Sequence, residues 1–309
     1  MPDAEADKAI DILLKGGLVA VPTETVYGLA ADATNGEAIA RIYQAKNRPE
    51  FNPLICHVSD IIMAEKLVKI PLVAKTLMKA FWPGPISFVL TQQENSPVNA
   101  LVSAGLDTLA VRMPDHELTH ELITKLNRPI AAPSANPSGR ISPTSAKDVK
   151  EGLGNKVDLV LDGGDCSRGI ESTIVTFDQD FIIILRPGSI TKEMLEEVIN
   201  SEVKIYNVAD DASITAPGQL SSHYAPSANV RLNATNKNEG EVLIGFGNIQ
   251  GDYTLSKNAN LAEAASMLFK TMRAADKSNA KTIAIAPIPH EGIGIAINDR
   301  LERAAAPRK

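Results

Sequence analysis

Residues 18–28 read Leu-Val-Ala-Val-Pro-Thr-Glu-Thr-Val-Tyr-Gly, and this stretch decides how the fold begins. The apolar run Leu18–Val21 predicts a short buried strand, which leads into the loop Pro22–Gly28. That loop carries two threonine hydroxyls and one carboxylate. Because α/β folds bind ligands in the loops at strand ends, we expect this loop to line a ligand site.

Two cations and an amide follow the loop after one predicted helix. Apolar residues at helical spacing predict a helix over Gly36–Ala45, which must end before Arg48-Pro49. Lys46 and Arg48 could simply offset the dipole at the end of that helix. Asn52, which leads into the predicted strand Leu54–Val58, favours instead a site for a phosphate-bearing ligand.

His57 and Arg112 each interrupt an apolar strand. A lone histidine in such a strand is more often a satisfied core residue than a ligand-binding one. An arginine at the end of the predicted strand Thr108–Met113 is costly unless an anion meets it. Arg112 therefore indicates recognition of a carboxylate or a phosphate.

Short polar side chains follow the predicted strand Pro129–Ala132. Ser134 and Asn136 could satisfy only the backbone of their own turn. Ser142 before a proline resembles an N-cap followed by the favoured first residue of a helix, here expected over Pro143–Gly152. The free amides at that helix start would form an anion site.

The order of predicted elements indicates an α/β protein with two domains. Residues 1–205 mix strands and helices without a strict βαβ rhythm, which predicts a twisted mixed sheet flanked by helices. Residues 206–228 are polar and show no helical or strand period, as in a linker. Residues 229–309 alternate strands and helices, which predicts a small Rossmann-like domain with a parallel sheet.

Composition excludes several classes of protein. A net charge of −6 over 309 residues argues against a surface for non-specific binding of nucleic acid. Two cysteines cannot build a disulfide framework or a four-cysteine zinc site. No segment approaches the roughly 20 apolar residues of a membrane span, and the acidic N-terminus is unlike a secretory signal. We therefore expect a cytoplasmic protein.

Familiar catalytic motifs are missing from the sequence. It contains no Gly-x-x-x-x-Gly-Lys-Ser/Thr phosphate loop, no His-Glu-x-x-His and no Gly-x-Ser-x-Gly. Gly245-x-Gly247 with Gly251 lacks the dinucleotide-binding spacing and indicates a tight turn. A nucleotide site in this chain must therefore be of a less common kind.

Several ordered motifs closely resemble those of the YrdC-type threonylcarbamoyl-AMP synthases. The motifs are Pro22–Gly28, Lys46-x-Arg48 with Asn52-Pro53-Leu54, Ala131-Ala-Pro-Ser-Ala-Asn136 and Glu171-Ser-Thr173. Three further motifs resemble the two-domain form of that family: Arg186-Pro-Gly188, His223-Tyr224-Ala-Pro226 and Gly292-x-Gly294-x-Ala296-Ile-x-x-Arg300. The resemblance covers nearly the whole chain.

This resemblance implies a nucleotidyltransferase that makes threonylcarbamoyl-AMP, pyrophosphate and water from L-threonine, bicarbonate and ATP, with Mg²⁺ bound to the ATP. The product would pass to a separate tRNA threonylcarbamoyl transferase, as the first step of threonylcarbamoyladenosine (t6A) formation in tRNA. Neither a membrane nor direct tRNA binding is expected.

The resemblance also implies residue roles. The threonine site would consist of Thr25, His57, Arg112, the Ala132 backbone and Ser172. The ATP site would consist of Arg48, Asn52, Thr108, Ser134, Ser142, Arg186 and Tyr224. Lys46, Arg48 and Asn136 would be catalytic, near the phosphates and the magnesium. Tyr224 would bring the linker over the nucleotide.

Two other functions are open at this point. One is a non-catalytic RNA-binding module, against which the net acidity and the low aromatic content of 4% count. The other is carbamoyl transfer from carbamoyl phosphate, carried out by larger proteins with a similar domain. Those proteins carry cysteine-rich zinc segments that two cysteines cannot supply.

Overall fold

The computed structural model describes residues 3–178, 181–206 and 223–307, which form two β-sheets with packed helices. The helices are α1 (Asp3–Leu14), α2 (Gly36–Lys46), α3 (Ile61–Leu67), α4 (Leu72–Phe81), α5 (Glu117–Leu126), α6 (Ala146–Leu153), α7 (Lys192–Ile199), α8 (Leu261–Asp276) and α9 (Ile293–Ala305), with a 3₁₀ turn at Gly154–Lys156. The strands are β1 (Val19–Val21), β2 (Gly28–Asp32), β3 (Ile55–His57), β4 (Ile86–Thr91), β5 (Thr108–Arg112), β6 (Ile130–Ala131), β7 (Leu159–Val160), β8 (Thr173–Asp178), β9 (Phe181–Arg186), β10 (Val203–Ile205), β11 (Asn229–Arg231), β12 (Glu241–Gly245), β13 (Tyr253–Thr254) and β14 (Thr282–Ile285). None of the helices within these ranges is long and apolar enough to cross a bilayer.

The larger sheet is mixed, as the sequence predicted. Over the described ranges, ten strands follow the order β10-β9-β8-β4-β5-β3-β6-β2-β1-β7. β3 runs parallel to β5, whereas β6 is antiparallel to both β2 and β3. Apolar side chains of these strands and of helices α1 to α6 form one large buried cluster. That cluster holds the strand ends in fixed positions, and the strand ends carry the predicted site.

Register in the middle of this sheet determines which side chains meet. His57 in β3 lies opposite Arg112 in β5. One isolated bridge joins Gly28 to Ser134, so the loop before β2 lies beside the loop after β6. A Cβ atom on Gly28 would lie 3.1 Å from the Cβ of Ala132, closer than most such contacts, so glycine lets these loops approach. Loops that are distant in the sequence therefore meet at the same end of the central strands.

The turn that ends α2 separates Lys46, the last residue of the helix, from Arg48. Asn35 caps the start of α2 by accepting hydrogen bonds from two backbone N–H groups. Asn47 closes the helix in the left-handed conformation, with φ 50° and ψ 46°. The helix therefore runs one residue past its predicted end, and Lys46 and Arg48 leave it on either side of this turn.

The helix expected from Pro143 begins three residues later. α6 starts at Ala146, and the Ser145 side chain caps it by accepting a hydrogen bond from its first turn. The Pro143 carbonyl accepts a hydrogen bond from the Tyr27 N–H at 2.9 Å. Pro143 therefore belongs to a tertiary contact, and the prediction that Ser142 caps this helix is wrong. The anion site expected at the helix start stays a prediction.

The smaller sheet is entirely parallel, which confirms the predicted Rossmann-like C-terminal part. Its order is β11-β14-β12-β13, and each neighbouring pair is parallel. Apolar side chains of α8 and α9 pack with it. The same buried cluster includes Val26, Ile141 and Ile170 from loops of the larger sheet. The two parts therefore share one apolar contact beside the loop Pro22–Gly28.

Candidate active site

A small polar cavity lies where the strand ends of the larger sheet meet the segment that begins at residue 223. Its volume is about 50 Å³. Nine residues predicted to bind threonine or ATP line its wall: Thr25, Arg48, His57, Arg112, Ala132, Ser134, Ser172, Arg186 and Tyr224. Residues from six of the quoted sequence motifs, together with His57 and Arg112, therefore converge on one cavity.

Arg112 and Thr25 form one side of the cavity. Arg112 Nη1 donates a hydrogen bond to Thr25 Oγ1 at 3.0 Å, and its Nη2 lies 2.6 Å from Glu24 Oε1. Both partners of this ion pair are buried, at 4% and 5% side-chain exposure. The anion that the sequence required for Arg112 is therefore supplied within the chain by Glu24, and the guanidinium edge still lines the cavity.

His57 stands beside Arg112 as a neutral imidazole. Burial, and then the charge of Arg112, lower the pKa of His57 to about 3. Its Nδ1 is buried and finds no hydrogen-bond partner among the described residues. A neutral ring with an unused nitrogen at a cavity wall can bind a ligand hydroxyl. This position differs from that of a satisfied core histidine.

The depressed pKa of His57 predicts acid-induced loss of stability. The unfolded chain protonates this ring near pH 6.5, whereas the folded protein resists protonation down to about pH 3. The stabilisation is therefore complete above pH 6.5 and is lost as the pH falls through that window. We expect the free energy of unfolding to drop by about 1.4 kcal/mol per pH unit there for such a histidine.

Urea unfolding measured at successive pH values tests this expectation. His57→Gln should flatten the slope between pH 6.5 and 3, because glutamine does not titrate. His290→Gln, at an exposed position, is the matched control and should leave the slope unchanged. An unaltered slope in His57→Gln would contradict the neutral buried state of this ring.

Arg48 and Arg186 are the other two arginines among the residues that line the cavity. Arg48 Nη2 donates to Asn52 Oδ1 at 2.7 Å, and its Nε donates to the Asn52 carbonyl at 3.1 Å. Arg186 Nε and Nη2 donate to the Ser172 carbonyl, at 3.1 and 2.9 Å. Burial lowers the pKa of Arg48 to about 10, so it stays charged at neutral pH. These hydrogen bonds go to neutral groups, which leaves both charges available to an anion.

Lys46 and Asn136 lie behind the cavity wall. The Lys46 ammonium donates to the carbonyls of Ser134 and Asn136, and it is 1% exposed. Burial, and then Arg48, hold the pKa of Lys46 well below its usual value. Asn136 Nδ2 donates to the carbonyls of Pro137 and Arg140 at 2.9 and 2.8 Å. These contacts fix the loop that carries Ser134, and the catalytic roles of Lys46 and Asn136 stay predictions.

The other three predicted ATP residues lie outside the wall. Asn52 is buried against Arg48, and its Nδ2 has no partner in the part of the chain that the structure describes. Ser142 Oγ donates to Glu171 Oε1 at 2.5 Å, and Glu171 lines the cavity. Thr108 begins β5, four residues before Arg112, and pairs across the strands with Thr91. The ATP contacts of these three residues stay predictions.

The sequence analysis did not assign three polar residues that line the cavity, Thr23, Glu171 and His223, or Glu24, which pairs with Arg112 in the wall. Glu24 and Glu171 lie inside quoted motifs and could have been found as the anions that buried arginines require. His223 directly precedes Tyr224, and burial holds its pKa well below the usual value, helped by Arg48. Among the described residues, His223 Nδ1 and the Tyr224 hydroxyl lack hydrogen-bond partners.

The described residues provide no metal cage. Among these residues, no three or more His, Cys, Asp or Glu side chains lie close enough together to hold a metal ion. Glu171 lines the cavity, and its carboxylate is already engaged by Arg300. Glu24, behind Arg112, is engaged by that arginine.

Comparisons with known proteins agree with this geometry. The family Sua5_yciO_yrdC, described as "Telomere recombination", matches residues 11–188, and Sua5_C, described as "Threonylcarbamoyl-AMP synthase, C-terminal domain", matches residues 190–306. The threonylcarbamoyl-AMP synthase of Pyrococcus abyssi is 40% identical over 97% of this chain and 94% of its own length. That of Bacillus subtilis is 38% identical over 99% of this chain and 94% of its own length.

One solved structure extends the similarity to three dimensions. It is that of P. abyssi Sua5 complexed with L-threonine, which superposes with a TM-score of 0.91 at 38% sequence identity. The superposition covers 99% of this chain and 95% of that one. The two proteins therefore share their fold.

Proposed function

The chain belongs to the threonylcarbamoyl-AMP synthase family of Sua5 and YrdC proteins, and we propose that it joins L-threonine, bicarbonate and ATP into L-threonylcarbamoyladenylate. The reaction releases pyrophosphate and water. The observation that supports this function is one cavity lined by two unlike groups of residues. Thr25, His57 and Arg112 suit an amino acid, and Arg48 and Arg186 suit a polyphosphate.

Threonine is held on the side of Arg112. Its carboxylate meets the Arg112 guanidinium, already oriented by Glu24 and Thr25. Its hydroxyl meets the neutral His57 ring. The Ala132 backbone and Ser172 complete this side of the cavity. P. abyssi Sua5 has been solved with L-threonine bound, which supports the assignment.

The chemistry needs no nucleophile from the protein. The threonine amine attacks the carbon of bicarbonate, water leaves, and a carbamate forms. A carbamate oxygen then attacks the α-phosphorus of ATP, and the bond to the β,γ-pyrophosphate breaks. Catalysis depends on holding the reactants together and on neutralising charge at phosphorus, the role of Arg48 and Arg186. Lys46 and Asn136 keep the neighbouring loop in place.

ATP enters this scheme as its magnesium complex. Ser134, Ser142, Asn52, Thr108 and Tyr224 complete the proposed ATP contacts. Bound Mg²⁺ supplies charge neutralisation on the phosphates.

Two residues near the C-terminal end of the linker proposed for residues 206–228 line the cavity. Residues 207–222 lie outside the described ranges, whereas His223 and Tyr224 line the cavity wall. Tyr224 also stacks on Phe269 of α8, with ring centroids 5.5 Å apart. These contacts support closure over the nucleotide between the proposed domains 1–205 and 229–309.

The product is a mixed anhydride, which can donate its threonylcarbamoyl group to an acceptor. We place the next step in a separate tRNA threonylcarbamoyl transferase that forms t6A. The buried free thiols Cys56 and Cys166 suit a reducing compartment, which supports action in the cytoplasm.

Pyrophosphate release measured with ATP and magnesium tests the function. Threonine and bicarbonate are omitted in turn, and each omission should stop release. Release that ignores both omissions would refute the reaction. The alternative, a non-catalytic RNA-binding module, predicts no turnover and tight RNA binding with a steep salt dependence.

A further inference from the structure

One arginine of α9 reaches the wall of the cavity from the smaller sheet's side. Arg300 is completely buried, at 0% exposure. Its Nε lies 3.1 Å from Glu171 Oε2, and its Nη1 donates to the Pro187 carbonyl at 2.7 Å. Glu171 directly precedes Ser172, and Pro187 directly follows Arg186. One guanidinium therefore contacts both segments that carry these cavity residues.

Glu171 connects Arg300 to a third segment. Its Oε1 accepts from Ser142 Oγ at 2.5 Å, while its Oε2 meets Arg300. Asp299 provides a second carboxylate, with its Oδ2 2.8 Å from Arg300 Nη1. A guanidinium presents donors in several directions from one plane, so it can hold groups that a single ammonium cannot reach together.

Arg300 also lies beside the aromatic ring of the cavity wall. Its Cζ is 5.5 Å from the centroid of the Tyr224 ring. The Tyr224 hydroxyl has no hydrogen-bond partner in the described ranges. Arg300 thus contacts Glu171 and Tyr224, which line the cavity, and Pro187, which follows the cavity residue Arg186. Arg300 does not itself line the cavity.

A role limited to joining the two parts is already filled elsewhere. Lys270 of α8 pairs with Asp165 at 2.8 Å, and Lys277 pairs with Glu151 at 2.7 Å. These pairs cross between the parts away from the cavity and are half exposed. Arg300, by contrast, is fully buried against the cavity segments. Its location therefore indicates a role in the site.

We propose that Arg300 is a positioning residue for the adenylation reaction, acting from the C-terminal part through Glu171 and Pro187. It sets the segments that carry Arg186 and Ser142, and so the geometry of the nucleotide side, and it also holds Glu171 beside Ser172 of the threonine side. The inference rests on the proposed function. It assigns to the C-terminal part a direct influence on catalysis.

Arg300→Lys is the central test, because lysine keeps the charge but cannot contact Glu171 and Pro187 together. We expect a folded protein whose kcat/KM for ATP falls by about tenfold or more, with a matching rise in the Kd for Mg-ATP in calorimetry. The double variant Arg300→Met/Glu171→Gln removes both charges of the buried pair, and Asp299 keeps its ion pair with Arg303 at 2.9 Å. It should fold, and its activity should be no lower than that of Arg300→Met. The two substitutions remove the same Arg300–Glu171 contact, so their effects should not add. Lys270→Met is the matched control and should stay near wild type.

Each outcome decides the proposal. If Arg300→Lys stays within about twofold of wild type in kcat/KM and in Kd, Arg300 does not position the site. An equal loss in Lys270→Met would show that any contact between the parts matters, which also overturns the proposal. Wild-type pyrophosphate release that ignores threonine would refute the proposed function, and the Kd comparison would then decide the role of Arg300 alone.

Discussion

Arg48→Ala is expected to abolish measurable pyrophosphate release, a loss of about 10²- to 10³-fold or more in kcat. Arg48 lines the cavity and remains cationic at neutral pH, since its pKa is lowered only to about 10. Its hydrogen bonds go to neutral groups of Asn52 and Pro53. The charge is therefore free to stabilise negative charge that develops on the phosphates. Steady-state release of pyrophosphate measures the effect.

Controls separate chemistry from local structure in this experiment. Arg48 also holds the turn at Asn52 and Pro53, so the melting temperature of Arg48→Ala must be compared with wild type. Arg48→Lys keeps the charge and should recover part of the activity. Arg41→Ala changes a half-exposed arginine of α2 that pairs with Asp158 at 3.0 Å, and its rate should be normal. Near-normal turnover in folded Arg48→Ala would refute the assigned role.

Arg112→Met is expected to raise the KM for threonine by about 10- to 100-fold, the worth of a hydrogen bond to a charged group. Arg112 is the cation nearest to Thr25 and His57 in the proposed amino-acid side. The same change leaves Glu24 buried at 5% exposure without its cation. We therefore expect a simultaneous loss of about 3–5 kcal/mol in the free energy of unfolding.

A double variant distinguishes these two effects. Arg112→Met/Glu24→Gln removes the orphan carboxylate and should recover most of the lost stability. The KM for threonine should remain high, because the carboxylate of the substrate still lacks its guanidinium. Recovery of threonine affinity along with stability would mean that Arg112 only supports the fold. Urea unfolding and threonine titration of pyrophosphate release measure the two quantities.

Elements with strong local signals were predicted from the sequence. The helix α2 was placed to within one residue, because apolar spacing and Arg48-Pro49 mark its body and its end. The parallel C-terminal sheet followed from strand and helix alternation. The strands β2, β10 and β13 were missed: β10 is a three-residue strand, β13 is a two-residue strand, and β2 is a glycine- and alanine-rich strand held between β1 and β6. Such strands exist only through tertiary pairing.

The start of α6 shows why local signals can mislead. Ser142 before a proline has the pattern of an N-cap, yet Pro143 accepts a hydrogen bond from Tyr27 and the cap is Ser145. Ser142 instead donates to Glu171, which lies 29 residues away. The sequence showed that Ser142 carries a hydrogen-bonding side chain, but it did not show the partner, and the ATP contact of Ser142 stays a prediction. The Ser142 hydroxyl donates to the Glu171 carboxylate instead of capping the helix.

The sequence by itself determined the polar residues that could carry the chemistry and the short strands and turns that present them. Those features depend on neighbouring residues, on proline, and on apolar spacing. Only the tertiary structure decided which charges meet, because Glu24 reaches Arg112 and Glu171 reaches Arg300 across 129 residues. Strand register and the cost of burying an unpaired charge select those partners. Both act only when the whole chain is folded.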